Sequence, residues 1–206
     1  KISLKERISA HAKYGNLDLE KWVKDNFNIL KGDRILDLGC GNGKFMNLFL
    51  NGAGREGFVL GLDKNQSLVN QANKNTNIDE ENAKILTHDF DDVFPKKYGL
   101  FNWVFAIYSI YYAENALDIV QKVQNLLLPG GKFVIIGPGP NNIIDLMNFN
   151  QDLTGMKPKK EFIDRNERIH NEFFPIFKKI FKKKNTSYKE IDSFMNFPTP
   201  DEFSNY

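Results

Sequence analysis

Apolar residues fall at Leu19, Trp22, Val23, Phe27 and Leu30, three and four positions apart as on one face of a helix, until Lys31-Gly32-Asp33 breaks the pattern. The spacing predicts a helix within 17–30 and a strand that can begin at Arg34. Four short runs rich in branched or aromatic residues follow: Ile35–Leu38, Phe58–Leu62, Lys84–His88 and Trp103–Tyr108. A fifth, Phe133–Ile136, comes after Pro129-Gly130-Gly131, which reads as a turn. Between the runs, Lys44–Asn51, Gln66–Asn75 and Ala116–Leu127 have helical spacing. Strands alternating with helices of this length pair in parallel through crossovers. A stretch such as Val104-Phe105-Ala106-Ile107, apolar without alternation, suits a sheet covered on both faces. The predicted fold is therefore α/β, a doubly wound, mainly parallel sheet with helices on both faces.

Beyond Pro140 the pattern changes. Phe162, Ile169, Phe173, Phe177, Ile180 and Phe181 recur at helical intervals among lysines, with Pro175 expected to kink or divide the helix. Three segments result: an N-terminal helical cap (1–30), a core (31–140) and a C-terminal helical insertion or lid (141–206). Residues Lys1 to His11 read as an amphipathic helix rather than a signal peptide.

Composition narrows the picture modestly. The chain has 206 residues, 41% of them hydrophobic, enough for one substantial core. With 26% charged residues and a formal net charge of +2, it is neither an acidic disordered chain nor a strongly basic nucleic-acid binder. Cys40 is the only cysteine, which excludes an intrachain disulfide framework and a zinc site built on several thiolates, so no metal and a reducing cytoplasm are expected. No apolar run reaches the roughly 20 residues that cross a bilayer, and no membrane partner is expected.

Candidate chemistry gathers where the first strand turns into the first crossover helix, at Asp37-Leu38-Gly39-Cys40-Gly41-Asn42-Gly43. Glycines at alternate positions let the backbone turn tightly and come close to a ligand, which makes room for a nucleoside. A dinucleotide fingerprint would place its third glycine where Lys44 stands, so the spacing favours a ligand without phosphates. Asp63 ends the second strand about 20 residues later, where a carboxylate can accept both ribose hydroxyls.

Together these residues resemble the class I S-adenosylmethionine-dependent methyltransferase family, whose first motif is an acidic residue followed by alternating glycines. Asp37, Gly39, Gly41 and Gly43 match it position for position, and Leu126 to Phe133 looks like the family's entry to its fifth strand. The resemblance covers roughly 30–140 and implies a Rossmann-like fold with S-adenosyl-L-methionine as cofactor and S-adenosyl-L-homocysteine as product. It implies that Asp63 holds the ribose, that Asp89 bonds the adenine amine and that Phe90 packs on the ring. Cys40, Lys64 and Ala106, beside these strand ends, complete the expected binding set, although Cys40 is given no chemistry beyond packing. Tyr14, with His11 on the N-terminal helix, is expected to cover the cofactor. Tyr108, Ser109, Tyr111 and Tyr112 follow the fourth strand, where the family places residues facing the acceptor.

Methyl transfer from a sulfonium is an in-line displacement, so alignment in a dry pocket is the main task and a base is optional. Tyr108 and His88 are the named catalytic candidates, with His170 a further base to test if the acceptor must lose a proton. For His88, a structural role at a strand end competes with a chemical one. The chain has Ala106-Ile107-Tyr108-Ser109 where many nucleic-acid amine methyltransferases have an Asn-Pro-Pro-Tyr type of sequence, which favours a small-molecule O or N acceptor. Two alternatives remain: an RNA-binding or RNA-modifying module using Lys157, Lys159, Lys160 and the lysines at 178–184, and a non-catalytic cofactor-binding scaffold. The family's last two strands have no counterpart after Phe194-Met195-Asn196-Phe197. The chain is expected to lack that hairpin or to take it from a partner, leaving a sheet edge prone to homo-oligomer formation.

Overall fold

The computed structural model describes residues 4–76, 81–92, 94 and 96–204, which divide into two compact units. Residues 29–188 form the larger. Five strands, β1 (Arg34–Leu38), β2 (Phe58–Asp63), β3 (Ala83–Thr87), β4 (Phe101–Ile107) and β5 (Leu127–Ile136), make one parallel sheet in the order β3-β2-β1-β4-β5. The doubly wound sheet expected from the alternation of elements is thus present. Helices numbered in chain order connect and cover it: α3 (Met46–Ala53), α4 (Gln66–Asn75), α5 (Ala116–Gln124), α6 (Ile144–Thr154), α7 (Lys160–Arg168) and α8 (Phe174–Ile180).

Two-residue periodicity divides the strands between two cores. Leu36, Leu38, Leu60, Leu62, Val104 and Ala106 belong to one buried cluster with Ile119, Val120 and Val123 of α5. Odd-numbered neighbours take the other face, where Phe105 stacks on Phe49 of α3 with ring centroids 4.6 Å apart. Every strand of the centre is therefore buried on both sides, which is why its sequence lacks polar alternation.

Of the region beyond β5, the stretch from Phe173 to Phe181 packs on the core, while α6 buries none of its residues. Phe173 is buried in the α5 cluster, and Phe177, Ile180 and Phe181 pack against that cluster. The divided helix expected at Pro175 takes the form of a π-helical turn, Ile169–Phe173, running into α8. There the Phe174 N–H reaches back to the Ile169 carbonyl, a widened turn just ahead of a proline that cannot donate. The Pro129-Gly130-Gly131 turn is instead absorbed into β5 as an irregularity opposite Phe101–Trp103, with Gly130 at φ 79°.

The smaller unit joins residues 1–28 to 189–206, so the last stretch does not group with residues 141–188 as the three-segment reading expected. It holds α1 (Leu4–Tyr14), α2 (Leu19–Asn26) and α9 (Pro200–Ser204). A bridge pairs Gly15 with Met195, the Asn16 N–H donates to the Phe194 carbonyl at 3.1 Å, and Tyr14 packs on Phe197 at 4.5 Å. Partners some 180 positions apart leave no local signal, hence the different division.

Among the described residues, no helix is long and apolar enough to cross a membrane, and no group of three or more His, Cys, Asp or Glu could hold a metal.

Candidate active site

The strand order reverses between β1 and β4, and at such a switch point the loops leaving the carboxyl ends of the strands part to form a crevice. Residues 39–43 leave β1 there, with Gly39, Gly41 and Gly43 at φ 75°, 56° and 80°. Only glycine tolerates three such turns in five residues. The Gly39 and Cys40 N–H groups both donate to the Leu62 carbonyl at the end of β2, at 2.7 and 2.9 Å.

Two of these glycines make room for protein rather than for a ligand. A Cβ on Gly39 would lie 2.3 Å from Cβ of Ser109, whose hydroxyl donates to the Leu38 carbonyl. A Cβ on Gly43 would lie 3.0 Å from both the Ala72 side chain of α4 and the Thr76 hydroxyl. The nucleoside space expected from all three glycines is thus partly a packing requirement, which holds the loop against β4 and α4.

Asp63 ends β2 and ties the crevice together. Its Oδ2 accepts from the Gly41 N–H at 2.9 Å, and its Oδ1 accepts from the Asn65 N–H at 2.8 Å. Each carboxylate oxygen has about two lone-pair directions, so one on each stays available to a diol. Asn65 in turn caps α4, accepting from the Ser67 and Leu68 N–H groups at 2.9 and 3.3 Å. The sequence reading missed Asn65, although an Asn immediately before a predicted helix start is a cap signature. Asn65→Ala should cost about 1 kcal/mol of stability by freeing those amides, a loss that urea denaturation would register.

Asp37 lies one strand over, 2% exposed, and its Oδ2 is buried without a hydrogen-bond partner. Burial, with the nearby Asp63 charge adding to it, pushes its carboxyl up to about 7. Asp89 follows β3. Its Oδ1 accepts from the Asp91 N–H at 3.1 Å and its Oδ2 faces the Lys64 ammonium at 3.5 Å. Three carboxylates, Asp37, Asp63 and Asp89, thus stand at neighbouring strand ends with Lys64 as counterion to one of them. Such a set attracts a cation with hydroxyl and amine donors and repels phosphates.

Other expected residues sit differently. Ala106 is fully enclosed in the core of β4, so no side-chain surface is left for a cofactor. The Phe90 ring, 7% exposed, belongs to the same cluster and packs mainly against apolar neighbours. Cys40 is buried, and desolvation, with Asp37 and Asp63 adding to it, lifts its thiol far above the usual range, so it stays an inert packing group. His88 has its Nε2 buried without a hydrogen-bond partner beside the Phe94 ring, centroids 5.9 Å apart. His170, exposed on the π-helical turn, meets the Tyr188 ring edge-on at 5.3 Å. Tyr14 belongs to the smaller unit, where its hydroxyl donates to Glu202 Oε1 at 3.2 Å.

Tyr108 immediately follows β4 and is 50% exposed. Its backbone is left-handed, φ 54°, a strain on the order of 1 to 3 kcal/mol for a bulky residue. The N–H nonetheless holds the Ile136 carbonyl at 2.7 Å. Partial burial raises the phenol above its usual value, so near neutral pH it is a hydrogen-bond donor and not a base. Behind it, α7 is pinned to the Ile110–Tyr112 turn by Arg168, whose guanidinium donates to the Tyr111 and Ala113 carbonyls.

The family described as a methyltransferase domain matches residues 29–196. A tRNA U34 carboxymethyltransferase from Pseudomonas fluorescens is 34% identical over 117 residues, covering 56% of this chain and 36% of that protein. A demethylmenaquinone methyltransferase from Listeria monocytogenes is 25% identical over 178 residues, 82% of this chain and 65% of the relative. The solved structure of an S-adenosylmethionine dependent methyltransferase from Mesorhizobium loti aligns with a TM-score of 0.52 at 25% identity, over 60% of this chain and 56% of that one. The chain spans less than two thirds of the length of each of these three proteins.

Proposed function

Because the chain belongs to the methyltransferase-domain family of S-adenosylmethionine-dependent enzymes, we propose that it methylates an oxygen or nitrogen of a small molecule, using the crevice at 37–43, Asp63 and Asp89 to hold the cofactor. The observation that carries this reading is the carboxylate set. S-adenosylmethionine is a cation with a ribose diol, an ammonium and an adenine amine, and it carries no phosphate. Asp63 offers its two remaining lone-pair directions to the diol. Asp37, enclosed beneath the loop, touches no ligand directly but adds negative charge near a cation as it ionises, and Asp89, already turned toward a cation in Lys64, suits the adenine amine.

When bound, the cofactor supplies a methyl group made electrophilic by its sulfonium. The chain's part is to position an acceptor and keep water away. Tyr108 is our candidate for positioning, since the residue is half-exposed where β4 ends at the switch point and its phenol stays protonated. His88 has no role in this reading, its Nε2 being enclosed by protein. The two curated relatives bear names with different acceptors, so the acceptor class rests on this chain's own residues.

Calorimetry with S-adenosylmethionine, S-adenosylhomocysteine and NAD side by side tests the cofactor. Binding of the first two and not the third is expected, and NAD binding alone would overturn the assignment. Tyr108→Phe should leave S-adenosylhomocysteine affinity unchanged and lower turnover roughly three- to tenfold, the worth of one neutral hydrogen bond. Labelled methyl transfer to a small-molecule panel would measure it, and equal rates in both proteins would remove Tyr108 from the site. Strong salt-dependent RNA binding together with transfer to RNA would move the acceptor to nucleic acid.

A further inference from the structure

Helix α6 and the loop after it are the most exposed apolar stretch of the larger unit. No residue of α6 is buried. Leu153 is 69% exposed and Met156 63%, and Ile143, Ile144 and Phe149 also stand out in solvent. At about 100° per residue, Leu146, Phe149 and Leu153 form one stripe along the helix, with Asp145 and Asp152 flanking it on the Phe149 edge and Leu153 on the edge away from them. The crest is built, not frayed. Gly155 closes the helix in left-handed geometry, φ 69°, with its N–H on the Gln151 carbonyl at 2.7 Å. The Thr154 hydroxyl then accepts from the Met156 N–H at 3.2 Å, fixing the next apolar side chain at the tip.

Lysines 157, 159 and 160 follow within four positions. Lys159 also borders a groove of about 460 Å³ between α6 and α7, whose walls are Leu146, Met147, Pro158 and Phe162. A small ligand in the groove would leave Leu153 and Met156 in water. Covering them requires a surface that wets an apolar crest and answers adjacent positive charge, which is the make-up of an anionic lipid interface.

We propose that α6 and the 155–160 loop dock peripherally on an anionic bilayer, with Leu153 and Met156 entering the acyl boundary and the three lysines meeting lipid phosphates. No membrane-spanning segment is involved, in keeping with the helices described above. The inference is independent of the methyl-transfer reading, because partitioning is read without any turnover.

Sedimentation with phosphatidylcholine vesicles, with and without about a quarter phosphatidylglycerol, tests it. The whole chain should partition onto the anionic vesicles and bind neutral ones weakly. Raising salt from about 0.1 to 0.5 M should weaken the binding. The double variant Leu153→Asp, Met156→Asp should lose at least roughly tenfold in partitioning, and each Lys→Ala at 157, 159 or 160 about fivefold. All five side chains are exposed, so far-UV circular dichroism and S-adenosylhomocysteine affinity should stay unchanged in the variants. Failure of the native chain to sediment with anionic vesicles, or partitioning untouched by the double variant, overturns the proposal. So does light scattering that shows a dimer which the double variant converts to monomer, since a second copy would then cover the crest.

Discussion

Asp63→Ala is expected to weaken S-adenosylhomocysteine binding by about 1.5 to 3 kcal/mol, roughly 10- to 150-fold, through the loss of charge-assisted bonds. Two losses coincide. The cofactor would give up an acceptor for its diol, and the Gly41 and Asn65 amides would give up the carboxylate that sets their spacing. Asp63→Asn separates these contributions, because one amide oxygen still accepts while the other position becomes a donor facing a donor. Its affinity should fall between the native protein and the alanine variant. Titration calorimetry supplies both numbers, and an alanine variant that binds as the native protein does would place the nucleoside elsewhere.

Asp37→Asn should change how stability depends on pH. The native carboxyl titrates in the fold near 7, raised by burial first and by Asp63 second, against about 3.8 in the unfolded chain. A raised carboxyl folds best protonated, so its favourable contribution is complete below about pH 4 and disappears as pH climbs through about 7. Keeping a carboxylate charged in that buried position costs the fold on the order of 4 kcal/mol above neutrality. The asparagine variant avoids that penalty. It should match the native protein near pH 3 to 4, pull ahead as pH rises from there, and exceed it fully at pH 8, as urea denaturation of the cofactor-free proteins would measure. A difference in stability that stays flat across this range would mean that the buried carboxyl ionises freely. Cofactor affinity should move the opposite way: the native protein gains it as Asp37 becomes charged, and the variant has no such gain.

The centre of the sheet was legible because periodicity and capping agree there. α4 begins and ends where the apolar spacing put it, Gln66–Asn75, since Asn65 supplies the cap that the spacing implies. β4 and β5 start earlier than their apolar runs, at Phe101 and Leu127, because an irregular pairing carries Pro129 and two glycines inside a strand. No local pattern encodes such a pairing. In the crevice, the acidic and glycine positions were readable from motif spacing. That Gly39 is needed for Ser109, 70 positions later, was not, because two loops meet only once β1 and β4 are neighbours. That the side chains of Phe90 and Ala106 turn into the core was unreadable for a related reason: adjacency to a strand end says nothing about which face a side chain takes.

The bridge between Gly15 and Met195 sets an order of events during synthesis. Helices α1 and α2 leave the ribosome before the stretch they pair with, which emerges only after the whole of residues 29–188. At about 5 to 20 residues per second, that is a wait of roughly 10 to 30 s. Through that interval Tyr14 lacks its Phe197 contact, and the apolar surface that the pairing will cover stays open to water.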